Sequence, residues 1–149
     1  MIITDLSASI HRIAEELNAP IKDFGNNVFG LYLTLQYQDN ITRRQYVFVR
    51  PESGAAQGRD TYYINSRIAP LTPQIDLYKL VRQMSLYTYS NLTFNQDRDA
   101  NGQPVEMIII QSSPLVDHCT EEMLKYIIWE VGNAADYMEN LVQKGRDDN

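Results

Sequence analysis

Residues 120–144 read TEEMLKYIIWEVGNAADYMENLVQK, and this stretch decides the architecture. Met123, Leu124, Ile127, Ile128, Val131, Ala134, Ala135, Met138, Leu141 and Val142 recur at three- and four-residue steps, which lays one continuous apolar face along a helix. Thr120 is placed to cap its start, and Glu121 and Glu122 put negative charge in the first turn, where the helix dipole favours it. Lys144 and Gly145 supply a cation in the last turn and a residue able to leave the helix. At 1.5 Å per residue such a helix is about 37 Å long, so it must lie across a broad surface. That surface is a sheet of the same chain, another chain, or both.

Upstream, Asp5–Leu17 predicts a first helix capped by Thr4, with Leu6, Ile10, Ile13, Ala14 and Leu17 on one face and Asn18-Ala19-Pro20 ending it. Phe29, Leu31, Leu33, Leu35 and Tyr37 are apolar at strict period two, the pattern of a strand with one face on a core. Gln38-Asp39-Asn40 turns into a second strand, Thr42–Arg50. Residues 51–60 (PESGAAQGRD) read as a flexible connector, and Thr61–Ser66 as a third strand. Thr72-Pro73 predicts the start of a middle helix running to Leu86. Tyr89–Asn95 and Val105–Gln111 are two further strands, joined by the turn-rich NQDRDANGQP. The expected fold is α+β, a single antiparallel sheet of about five strands with helices packed on it, in the order α-β-β-β-α-β-β-α.

One hundred and forty-nine residues make one domain, 1–149, with 145–149 expected as a disordered tail. No apolar run reaches the length of a membrane span, and the first residues carry no basic segment followed by an apolar one. A lone cysteine, Cys119, forms no intramolecular disulfide and fits a reducing compartment, so a cytoplasmic location is expected. A net charge of −6 disfavours general nucleic-acid binding, which needs a positive surface. Neither a membrane nor a nucleic acid is therefore an expected partner.

Asp97, Asp99, Asn101 and Gly102 spell D-x-D-x-N-G, the first half of a calcium-binding loop. The twelfth position, which should hold a bidentate glutamate, is Ile108, and Glu106 falls two residues short. A polar hairpin turn explains the same residues, leaving Asp97, Asp99, Asn101 and Glu106 as weak metal candidates and no cofactor expected. Asp117, His118 and Cys119 mimic a catalytic trio, but adjacent residues at a helix start seldom converge in space. No catalytic residue is expected. Arg43, Arg44, Arg50, Arg59 and Arg67 cluster in sequence without forming a motif. Ten tyrosines exceed what one core needs, and tyrosine is enriched at interfaces. Tyr62 and Tyr63 must point to opposite sides of their strand, and Trp129 sits at the edge of the long helix's apolar stripe. Tyr32, Tyr62, Trp129 and Tyr137 are the expected partner-binding residues.

The opening helix Asp5–Leu17, the strand Val28–Tyr37, the middle helix Pro73–Leu86 and the closing helix with Val131-Gly132-Asn133-Ala134-Ala135-Asp136 follow one another in an order that resembles the type III secretion chaperone-like fold. The chain looks particularly like the YbjN-like branch and the small uncharacterised cyanobacterial proteins related to it. This resemblance spans nearly the whole chain and is one of topology and helix patterning. It implies a non-enzymatic module that dimerises and holds segments of other proteins, as a chaperone or regulatory adaptor. The expectation is a homodimer with a protein partner or client. The alternative is a small ligand- or cation-binding domain or enzyme using the 97–106 loop.

Overall fold

In the computed structural model, which describes residues 1–36 and 42–147, the closing helix α3 (Glu121–Asp147) crosses one face of a six-stranded antiparallel sheet. The elements before it are α1 (Leu6–Glu16), β1 (Ile21–Asp23), β2 (Phe29–Gln36), β3 (Thr42–Ala56), β4 (Arg59–Pro70), α2 (Leu77–Gln83), β5 (Asn91–Arg98) and β6 (Pro104–Ser112). Across the sheet the strands lie in the order β1-β2-β3-β4-β6-β5. Four strands meander, α2 crosses over, and a final hairpin adds itself with β6 inside and β5 on the edge. The chain is thus α+β with one open antiparallel sheet, as its patterning predicts.

The strand count and order differ from expectation in ways with physical causes. β1 is only three residues long, too short to display a period, and is held by Ile21↔Leu31 and Asp23↔Phe29 pairing. The stretch 51–60 is no flexible connector: β3 and β4 continue through it as a hairpin, closing at Ala56↔Arg59. Gln57 and Gly58 take φ of 53° and 87° at the tip, the left-handed pair that a tight hairpin demands. A bulge between Glu52 and Ala56 takes up Gly54, whose N–H is accepted by Asp60 Oδ1 at 3.0 Å. The small residues that suggested flexibility are turn and bulge chemistry.

Helix ends shift for similar reasons. Asp5, not Thr4, caps α1 by accepting from the Ala8 N–H at 3.2 Å, and Asp76, not Thr72, caps α2 by accepting from Lys79 N–H at 3.1 Å. A short 3-10 turn, Met84–Leu86, follows α2. Thr120 Oγ1 does accept from the Met123 N–H, at 3.1 Å. α3 carries on through Gly145 to Asp147, so 145–147 are helical and not a disordered tail, while 148–149 and the expected Gln38–Asn40 turn lie outside the described residues.

The core forms between α3 and the sheet. Leu124, Ile127, Ile128, Val131 and Met138 meet Leu31 and Leu33 of β2, Val47 and Val49 of β3, Ile64 of β4 and Ile108 and Ile110 of β6, all buried. Gly132 is where the helix backbone comes closest. A Cβ there would press into Leu33 Cδ1 and stand 3.1 Å from Val47 Cγ2. α1 joins the same layer through Ile10 and Ile13, and its Arg12 and Glu16 pair with Glu121 and Lys125 of α3. Tyr32, Tyr46, Phe48 and Tyr63 alternate with these core positions along their strands, so they belong to the opposite face of the sheet.

Candidate functional site

On α3, Tyr126, Trp129, Asn133 and Tyr137 stand at i, i+3, i+7 and i+11, one stripe turned away from the sheet. Trp129 is 46% exposed and Tyr137 38%. The stripe has lateral support. Trp129 lies 5.9 Å from the Tyr126 ring, which meets Tyr89 edge-on at 5.8 Å. Tyr89 is held there by a residue that sequence reading overlooked. Glu130, only 3% exposed, accepts from the Thr88 N–H at 2.7 Å, the Tyr89 N–H at 2.9 Å and the Ser90 hydroxyl at 2.8 Å. Its signal was present: a carboxylate between Ile127-Ile128 and Val131 must be satisfied in place. α2 and the turn after it add exposed Tyr78, Val81 and Leu86, and β5 adds Phe94. Eight of the twelve exposed large apolar side chains among the described residues therefore belong to this side of the molecule.

Tyr32 lies elsewhere, on the uncovered face of the sheet, 39% exposed and edge-on to Tyr46 with ring centres 4.4 Å apart. Tyr62 corrects its expectation. It is 4% exposed, sits on the helix-covered face and gives its N–H to Pro114 O, and burial raises its hydroxyl pKa. Its neighbour Tyr63 takes the open side, under the Arg50 guanidinium at 5.0 Å. The four expected residues thus divide among two separate surfaces and the core.

In the 97–106 loop both aspartates already have partners. Asp97 pairs with Arg67, and Asp99 Oδ1 accepts from the Asn101 and Gln103 N–H groups, each at 2.9 Å. Gly102 turns the chain at φ 76°, Asn101 is exposed, and Glu106 stands opposite Gln96 in the ladder. Among the described residues no three His, Cys, Asp or Glu side chains gather as a metal site would require. Asp117 and His118 occupy an exposed 3-10 turn, while Cys119 is fully buried and burial pushes its thiol up to about 11. Such a thiol stays protonated at neutral pH.

Arg43 is fastened to α3. Its guanidinium meets Asn140 Oδ1 at 2.7 Å and Asp136 Oδ1 at 3.3 Å. Asp136 is 2% exposed, and burial, aided by the Glu139 carboxylate, pushes it up to about 6. Arg43 opposes that shift, but for a carboxylate so removed from water desolvation prevails. Arg44, one residue on, faces the other side of the sheet and is exposed. Among the described residues no helix is long and apolar enough to cross a membrane. In comparisons with protein families, curated proteins and solved structures, nothing matches this chain.

Proposed function

We propose that this chain is a non-enzymatic protein-binding module, a homodimer that engages a protein partner or client in the manner of the type III secretion chaperone-like and YbjN-like proteins it resembles. The observation that carries this reading is the aromatic surface of α2, β5 and α3, which is exposed yet held in shape by the buried Glu130. Burial of such a surface yields about 25 cal/mol per Å² of apolar area, and tyrosine and tryptophan lose little side-chain freedom in the process. A cytoplasmic adaptor or chaperone role fits the acidic composition, which favours solubility.

Light scattering across a dilution series tests it, followed by affinity capture from native lysate with Trp129→Ala/Tyr137→Ala as the matched control. A dimer that dissociates, or a partner that is lost, in the double variant supports the reading. A monomer at every concentration, with no partner sensitive to those residues, sinks it. The cation-binding or enzymatic alternative has less support, because Asp97 and Asp99 are engaged within the protein. It predicts a rise in melting temperature with millimolar calcium or manganese.

A further inference from the structure

We propose that the uncovered face of the sheet binds single-stranded nucleic acid, with bases stacked on Tyr46 and Phe48 and phosphates held by Arg44, Arg50 and Arg67. Along β3 the residues Arg44, Tyr46, Phe48 and Arg50 share this face at period two, so one strand presents a cation, two rings and a second cation in line. The Tyr46 ring lies over Gly30 of β2, where a Cβ would stand 2.9 Å from its Cζ, so the glycine lets the ring lie on the sheet. Phe48 is tilted only 33° from it with ring centres 4.8 Å apart, and Tyr32 stands beside it at 80°. Two rings form a floor and one a wall. A central strand that presents a cation and then rings on an open antiparallel sheet is the arrangement with which sheet-based readers stack two or three bases of a single strand.

A cleft runs into this face. β3 and β4 pair only from Phe48↔Asn65 toward their hairpin tip; beyond that point a bulge at Arg67–Ala69 turns β4 away, and its ladder continues with β6 alone. Gln45 bridges the gap by donating to Ser66 Oγ at 2.8 Å and Arg67 O at 2.9 Å. The opening, about 330 Å³, is lined by Arg44, Tyr46 and Phe48 of β3, by Arg67 of β4 and by Glu139 of α3.

Charge decides the occupant. The chain carries −6 overall, but among the described residues the strands of this face hold Lys22, Arg44, Arg50 and Arg67 against Glu52 and Asp97, with Glu139 of α3 a third carboxylate in the cleft. Glu52 is paired with Arg50 and Asp97 with Arg67, which leaves Lys22 and Arg44 without a carboxylate among the described residues. Exposed ion pairs of this kind contribute little, so phosphates compete for both arginines. An extended polyanion whose monomers each carry a flat ring matches spaced cations with rings between them. An acidic peptide matches the cations but has no need of the stacked floor.

Fluorescence anisotropy with labelled oligouridylate and oligothymidylate of roughly 12 nucleotides, at about 50 mM salt, tests this directly. The expected dissociation constant is roughly 1–100 µM, with log K falling against log salt at a slope of about −1.5 to −2 for two to three phosphates. Phe48→Ala and Arg44→Ala each weaken binding about tenfold, and Arg44→Lys restores most of the latter loss. Far-UV circular dichroism and melting temperature confirm that each variant is folded. No anisotropy change overturns the proposal. So does binding that is indifferent to Phe48, or that polyglutamate displaces as readily as unlabelled oligonucleotide. The dimer and partner assays use the other face, so failure of either proposal is visible without the other.

Discussion

Replacing Glu130 should loosen both the fold and the aromatic surface. Its carboxylate takes three hydrogen bonds, two from backbone N–H groups that precede β5 and one from Ser90. Hydrogen bonds to a charged acceptor contribute about 1.5–3 kcal/mol each when buried, which for three would sum to about 4.5–9 kcal/mol. Thr88 and Tyr89 are themselves exposed, so water reaches part of this segment and replaces some of what is lost. The expected cost of Glu130→Ala is therefore about 2–3 kcal/mol, and that of Glu130→Gln, which keeps one acceptor, about 1–2 kcal/mol. Urea unfolding followed by circular dichroism measures the total. Amide exchange at Thr88 and Tyr89 measures the cause, and these two amides should lose protection well before the α3 amides do. A Glu130→Ala protein within 0.5 kcal/mol of the parent, with those amides still protected, would refute the argument that this carboxylate fastens the segment.

Gly132→Ala gains helix propensity of about 1 kcal/mol but forces a methyl group onto Leu33 and Val47, so a net loss of about 1–2 kcal/mol in urea unfolding is expected. A more stable variant would mean that α3 does not lie that close. The Asp136 carboxyl, raised to about 6, binds a proton more readily in the folded chain than in the unfolded one, so its contribution favours folding below about pH 4 and is lost as pH rises through 6. Between pH 4 and 7.5 the parent should lose about 2–3 kcal/mol relative to Asp136→Asn; a difference of opposite sign would show that the Arg43 pairing prevails over desolvation. Cys119, buried and with its thiol pushed up to about 11, should react with a thiol-specific chromogenic disulfide only as fast as the protein unfolds. Immediate reaction in the native state would contradict its burial.

What periodicity could reveal, it revealed. The α3 stripe, the β2 alternation and the Thr120 cap follow from residue spacing alone, because burial imposes a period on each. β1 escaped because three residues carry no period, and the β3–β4 hairpin tip because its glycines and alanines are also loop residues. The α2 start lies at Asp76 instead of Thr72: the Asp76 carboxylate accepts from the Lys79 N–H, and the first turn it opens carries Leu80 into the core. Among the proposed interface residues, Trp129 and Tyr137 lie on one surface and Tyr32 on another, since spacing within an element gives a face but not what covers it. Tyr62 went to the core for the same reason: the choice between it and Tyr63 is a question of register, which only the sheet resolves. Glu130 was legible as an anomaly, but its partners 40 to 42 residues away were not.

The placement of α3 after all six strands has a consequence during synthesis. Leu31, Leu33, Val47 and Ile110 form an apolar face that α3 mainly covers, and every strand bearing them is complete before Glu121 is added. A nascent chain therefore carries a paired but bare sheet for the time needed to translate and dock 27 residues. Exposed sheet surface of that kind is where intermolecular association begins. Chaperone dependence and loss of soluble yield should accordingly concentrate in variants that delay helix docking, such as Gly132→Val, rather than in those that weaken the strands themselves.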